Sequence, residues 1–191
     1  MRKQLFITVL VVAISNVFAS TAPPNKIIIN LEQSSISWIG KKVAGKHAGT
    51  LTFQEGYLEM NETSITGGEF IVDMTSLQVT DLVIGKGKEK LEKYLNSTSF
   101  FDVAAYPTAT FKITKVTSNN NTSYNIAGEL TIKGHTETTQ IVLTKAGNTF
   151  TTSFKVDRTK YGIVYNSGSV FDGLKNKAIN NEFELTISLR I

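Results

Sequence analysis

The chain has 191 residues, 41% of them apolar, with no cysteine and a formal charge of +4. That length favours one domain with a short N-terminal extension, and the composition argues against general disorder. The missing cysteines exclude disulfides, thiolate metal sites, cysteine nucleophiles and a cysteine-linked lipid anchor. Arg2 and Lys3 supply two of the net positive charges, and the rest are too few and too scattered to point to nucleic acid.

Residues 1–19 have the form of a secretory signal. Arg2 and Lys3 lead into the apolar run Leu5 to Ile14, and Val17 and Ala19 stand at the −3 and −1 positions for cleavage before Ser20. The run is shorter than the roughly twenty residues a bilayer span takes, so no membrane span is expected. The product is expected in the periplasm or the medium. Residues 20–26, with Pro23-Pro24, read as an extended tail, and 27–191 as the folded domain.

Short alternating segments follow. Ile27 to Leu31 and Ser34 to Lys42 read as strands, the second with Ile36 and Trp38 on one face. His47 to Gln54 and Tyr57 to Glu62 read as two strands broken by a turn at Glu55-Gly56. Thr66-Gly67-Gly68 precedes a strand from Glu69 to Met74. Ser76 to Ile84 is a loop or weak strand.

The one convincing helix covers residues 88–97. Leu91, Tyr94 and Leu95 fall at i, i+3 and i+4, and Glu89 and Lys93 form an i,i+4 pair on the wet side. Its apolar face is narrow, so it needs packing to be stable. Gly85 and Gly87 mark the break before it. Phe100-Phe101 and a Tyr106-Pro107 turn come next, since Pro removes a donor and holds the preceding residue extended.

From Thr108 the alternation is regular. Ala109, Phe111 and Ile113 share a face, as do Tyr124, Ile126, Gly128, Leu130 and Ile132. Thr139 to Lys145 is a further strand, and Phe150, Thr152, Phe154 and Val156 are in register on the next. Residues 157–177 form a long connection. The last strand, from Asn181, carries Phe183, Leu185, Ile187, Leu189 and Ile191 at period two. Eight or nine strands at hairpin spacing exclude a doubly wound α/β sheet and leave a barrel or a sandwich. Closure removes exposed edges, and an eight-stranded barrel holds either a side-chain core or one small ligand.

Chemistry-bearing motifs are sparse. His47 and His135 are the only histidines, with no H-x-x-x-H spacing, and they read as hydrogen-bonded strand-end residues. Asp157-Arg158 reads as an ion pair holding the long loop. The common nucleophile and phosphate motifs are missing. Catalysis, metal and cofactor are therefore not expected, although an enzyme using His47 with Asp157 or Arg158 stays on the table. The eleven phenylalanines are either plain core or the wall of an apolar cavity.

Several blocks carry a family resemblance: WIGKKVAGKHAGT (residues 38–50), GGEFIVDM (67–74), LNSTSFFDVAAYPTATF (95–111), GELTIKGHT (128–136) and DRTKYGI (157–163). In these the chain resembles the YceI-like family of secreted bacterial lipid-binding barrels. It departs from the expected pattern at Tyr94, in place of a frequent histidine, and at Asn181, in place of an acid. The resemblance implies an all-β fold, an eight-stranded antiparallel lipocalin-like barrel with one inserted α-helix and a long apolar cavity. It also implies a polyisoprenoid, quinone-like or other amphiphilic lipid as ligand, and dimers in many relatives. Smooth apolar walls suit such a ligand, and Trp38, Phe53, Phe70, Phe100, Phe101, Phe111, Phe154 and Phe171 are the expected wall. Lys46, His47 and Arg158 are candidates for meeting a head group. The competing expectation is a structural or interaction barrel filled by its own side chains.

Overall fold

The computed structural model describes residues 24–191, apart from residues 63, 121, 172 and 174–176. The signal-like segment and most of the tail lie outside the described residues; Asn25 and Lys26 of the tail belong to the first strand. The strands are β1 (Asn25–Ile28), β2 (Ser35–Lys42), β3 (Gly45–Asn61), β4 (Ser64–Val79), β5 (Thr108–Asn120), β6 (Ser123–Ile132), β7 (His135–Ala146), β8 (Thr149–Asp157) and β9 (Ile179–Arg190). Helix α1 (Lys88–Asn96) joins β4 to β5, and a 3-10 turn (Arg158–Tyr161) follows β8.

Every pairing is antiparallel, in the order β3-β2-β9-β8-β7-β6-β5-β4, and β4 returns to β3, so eight strands close into a barrel. The ninth, β1, is extra. It pairs with the far half of β3, at Tyr57 to Met60, while β2 pairs with the near half, at Gly45 to Leu51. The two act as one strand interrupted near residue 30, where Ile29 N–H donates to Gly56 O at 3.1 Å and Asn30 N–H to Arg190 O at 2.7 Å.

Alternate strands run toward the same end. The upper end holds the β2–β3 and β6–β7 hairpins and both long connections, 80–107 with α1 and 158–178; the lower end holds only short connections. In β6 the period-two face Tyr124, Ile126, Gly128, Leu130 and Ile132 is buried throughout, and so are Phe150, Thr152 and Val156 in β8. The Gly128 position admits no side chain, because a Cβ would run into the Phe111 ring and the Lys112 carbonyl.

The turn expected at Glu55-Gly56 is not a turn, and the strand expected from Glu69 begins earlier, at Ser64. Glu55-Gly56 and Gly67-Gly68 lie inside β3 and β4, which run long and pair with each other through register shifts near Phe53–Glu55 and Glu59–Met60. Gly56 is there for close approach. A Cβ would stand 2.7 Å from the Phe70 ring and 3.0 Å from the Ile29 side chain. A strand glycine that admits its neighbours reads in sequence like a turn glycine.

α1 forms as its spacing requires, with Leu95 buried and Glu92 accepting from Val79 N–H at 2.8 Å to tie the helix to the end of β4. The expected Glu89–Lys93 pair does not form. Glu89 turns back to accept from Gly85 N–H at 2.9 Å, a charge-assisted bond at the helix start, and the i,i+4 pair is Lys88–Glu92 at 3.7 Å.

Candidate functional site

Two buried clusters fill the ends of the barrel. The lower contains Ile36, Phe53, Leu58, Phe70, Ile126, Leu143 and Phe150; the upper contains Met74, Leu77, Leu95, Phe100, Leu130, Val156 and Ile163. Leu51, Val72, Phe111 and Leu185 touch both clusters, yet none is fully buried. Trp38, Phe101, Phe154, Phe183 and Ile187 also line the interior and also stay only partly buried. An inward side chain can retain accessible area only if it faces a void. The void is an apolar cavity of about 160 Å³ reaching from Ile36, Leu143 and Leu189 below to Leu77, Leu95 and Phe100 above.

Its walls are aromatic. Phe100 and Phe101 meet edge-on at 5.1 Å, Phe101 meets Phe183 at 6.4 Å, and Phe53 meets Phe70 at 6.1 Å. Two polar atoms in the wall are buried without a hydrogen-bond partner, Trp38 Nε1 and Thr152 Oγ1. The exposed members of the lining are Lys41, Asn180 and Glu182. They flank the one irregularity in the β2–β9 ladder, where the register jumps between Gly40–Phe183 and Lys42–Ile179. The cavity therefore reaches solvent at this seam, near the upper end.

Arg158 forms the polar roof. It is 2% exposed, and its guanidinium lies 5.7 Å from the centre of the Phe100 ring. Its Nε donates to Asn180 O at 3.0 Å, Nη1 to Ile163 O at 2.7 Å and Nη2 to Ile179 O at 3.0 Å. These bonds use three of five N–H groups. The ion pair expected with Asp157 is not formed. Asp157 Oδ1 instead accepts from Thr159 N–H at 2.9 Å and Thr159 Oγ1 at 2.6 Å, capping the 3-10 turn. The nearest geometry for a carboxylate one residue away is its own cap, and Arg158 is left facing carbonyl dipoles. Burial lowers the Arg158 pKa, and the nearby Asp157 and Tyr94 work against that.

Seven of the eight expected wall residues line this cavity: Trp38, Phe53, Phe70, Phe100, Phe101, Phe111 and Phe154. Phe171 does not. It sits outside, 47% exposed, on a turn whose N–H closes on Ser167 O at 2.9 Å. Of the head-group candidates, only Arg158 reaches the cavity. Lys46 is exposed on the β2–β3 hairpin. His47 lies outside the barrel wall, with Nδ1 3.0 Å from Asp81 Oδ2, beside a depression under α1. Burial opposes ionisation of Asp81, but the Ala48 N–H and then the His47 ring outweigh it and hold its carboxyl below the usual carboxylate range.

At the positions where the chain departs from the resemblance, the Tyr94 ring packs at 5.0 Å on Tyr165. Asn181 bonds Ser167 and Ser169, each at 2.6 Å. Sequence reading missed Leu51, Val72, Phe183 and Leu185 as wall. The period-two face of β9 carried the signal for Phe183 and Leu185, but periodicity does not say which face of a closed sheet is inside. Among the described residues no three His, Cys, Asp or Glu side chains come together as a metal site, and no helix is long and apolar enough to cross a membrane.

An eight-stranded antiparallel barrel with one crossing helix and an apolar interior is a lipocalin-like cavity protein. The chain belongs to the YceI-like family, whose model, described as a YceI-like domain, matches residues 28–191. A UPF0312 protein of Vibrio campbellii is 28% identical over 158 residues, 78% of this chain and 77% of the relative. A UPF0312 protein of Vibrio cholerae is 31% identical over 77 residues, 37% of this chain, and the match spans only 41% of that relative's length. Among solved structures, Burkholderia cenocepacia BcnA superimposes with a TM-score of 0.66 at 20% identity, covering 84% of this chain and 98% of that one. A polyisoprenoid binding domain from Saccharophagus degradans, implicated in plant cell wall breakdown, gives 0.57 at 10% identity, covering 87% and 97%. At these identities the structural likeness shows the fold.

Proposed function

We propose that the protein is a non-enzymatic carrier for a long-chain amphiphilic lipid of the polyisoprenoid or quinone-tail type, with the chain in the barrel and the head group near Arg158. The observation that carries this is the set of inward, partly buried apolar side chains around a void of about 160 Å³. The family membership and the polyisoprenoid-binding relative support it. An engineered cavity of about 150 Å³ lined by Leu, Ile and Phe takes up benzene, so the resting interior suits a segment of one or two isoprene units. Each such unit contributes roughly 4 kcal/mol gross at about 0.8 kcal/mol per buried carbon group, before ordering costs. A longer chain must turn Phe101, Phe111, Phe154 and Phe183 aside, and these are the walls not locked by full burial. A polar head fits beneath Arg158, whose two remaining N–H groups have no carboxylate within ion-pair distance among the described residues.

The single tryptophan, Trp38, lines the cavity and reports on occupancy. Native mass spectrometry of gently purified protein is expected to show a co-purifying lipid, and titration with an isoprenoid quinone is expected to shift Trp38 emission. Ligand-free protein with unresponsive Trp38 fluorescence overturns the reading. Export to the periplasm or medium is part of the proposal; N-terminal sequencing of the mature product is expected to begin at Ser20.

A further inference from the structure

The cavity opens onto an unusual surface. Six of the ten large apolar side chains exposed among the described residues gather at the upper end beside it: Val43, Val83, Ile84, Tyr165, Val170 and Phe171. Hydrogen bonds hold their segments together. Val43 N–H donates to Ala178 O at 3.2 Å, Ile179 N–H to Asn166 O at 2.9 Å, and Ser167 bridges to Ile179, which places the turn bearing Val170 and Phe171 next to the hairpin. On the other flank, Asp81 accepts from Ala48 N–H at 3.1 Å and lies 3.0 Å from His47, which fixes the loop bearing Val83 and Ile84 beside the start of β3. Val83 is 62% exposed, Ile84 79% and Val43 63%, and none belongs to a core cluster.

Lysines surround these tips. Lys41, Lys42 and Lys46 flank Val43, and Lys86, Lys88 and Lys90 follow Ile84 in sequence. Among the described residues, five acidic groups nearby have partners within the protein. Asp81 faces His47, Glu89 holds Gly85 N–H, Glu92 holds Val79 N–H and Lys88, Glu184 holds Lys41, and Glu182 holds Lys155. Lys42, Lys86 and Lys90 form no ion pair among the described residues. Isolated exposed apolar residues are ordinary, but an apolar rim with uncompensated cations around a cavity mouth is the pattern of an interfacial surface.

We propose that this upper end docks on a membrane surface carrying anionic lipids. Val83 and Ile84, with Val43, enter the headgroup–acyl boundary, and the lysines meet lipid phosphates. Docking sets the β2–β9 seam against the bilayer, so that the cavity opens toward the apolar phase. Phe171, outside the cavity wall, becomes an anchor on the rim. The proposal goes beyond lipid carriage and stands or falls separately from it.

The test is co-sedimentation of the purified protein with phosphatidylcholine vesicles, with and without added phosphatidylglycerol. Binding is expected to the anionic vesicles only, to weaken as salt rises, and to fall at least about tenfold in the double variant Val83→Glu/Ile84→Glu. Ile28→Glu, at the lower end, is the control and is expected to bind as the parent does. No binding to anionic vesicles, or equal losses in the control and the double variant, overturns the proposal; a surface built for a protein partner gives the first of these results. Uptake of geraniol, read from Trp38 fluorescence, is expected to be unchanged in Val83→Glu/Ile84→Glu, which shows that the variant is folded. Vesicle binding by a parent protein that ignores geraniol and quinone alike removes the carrier reading and leaves the docking surface standing.

Discussion

Val72→Phe separates a hollow barrel from a solid one by the sign of its effect. Val72 stands on β4 between Phe53 and Ala109, packs against both core clusters and lines the cavity. Phe exceeds Val by roughly 50 Å³, and void in an apolar core costs roughly 24 cal/mol per Å³, so the new ring stabilises the empty protein by about 1 kcal/mol. In a domain of this size that raises Tm by about 2–4 °C. The ring also occupies about a third of the 160 Å³ void, so quinone uptake is expected to fall while stability rises. The assay is a thermal melt of delipidated protein by circular dichroism, with Trp38 fluorescence titrations alongside. A barrel already filled by its own side chains has no room for the ring, and the same substitution then costs about 1–3 kcal/mol through overpacking. A fall in Tm of that size, with uptake unchanged, refutes the hollow interior.

Arg158→Lys is expected to destabilise by about 3 kcal/mol or more, because one ammonium cannot span the Asn180, Ile163 and Ile179 carbonyls that the guanidinium fork serves together; urea denaturation measures it, and a neutral result refutes the roof. Thr152→Val removes a buried, partnerless hydroxyl and is expected to stabilise the empty protein by about 1 kcal/mol, read as a higher Tm. Asp81→Asn tests linkage. Because the folded protein holds this carboxyl below its ordinary pKa, its contribution is present above the ordinary carboxylate range and is lost as pH falls through the folded value. The Tm gap between parent and variant is therefore expected at neutral pH and to close in acid; a gap independent of pH sinks the assignment. Gly49→Ala is expected to cost about 3 kcal/mol, read as a lower urea midpoint, because its Cβ would enter the Gln78 carbonyl and the Trp38 ring.

The local periodicities were legible in the chain itself. Alternation in β6, β8 and β9 identified strands and the residues that share a face, because the side-chain period of a strand is a property of the backbone alone. The i, i+3, i+4 spacing of Leu91, Tyr94 and Leu95 identified α1 for the same reason. Glycine was the main source of error. At Gly56 and Gly67-Gly68 the residue serves a close contact and a register shift between β3 and β4, and both depend on partners distant in sequence.

For the cavity, seven wall aromatics could be named from the sequence: Trp38, Phe53, Phe70, Phe111 and Phe154 stand on strands, and Phe100 and Phe101 follow α1. Phe171 looked like an eighth, but it belongs to a loop with no face to share. His47 and Lys46 looked like head-group donors beside a strand end, yet the β2–β3 hairpin carries them outward. Whether the barrel was empty or full was decided only by tertiary structure. Void is the difference between the space that eight strands enclose and the volume their side chains occupy, and no residue carries that difference alone. The same holds for Arg158, because its three carbonyl acceptors come from two segments that meet only when β8 and β9 pair beneath the long loop.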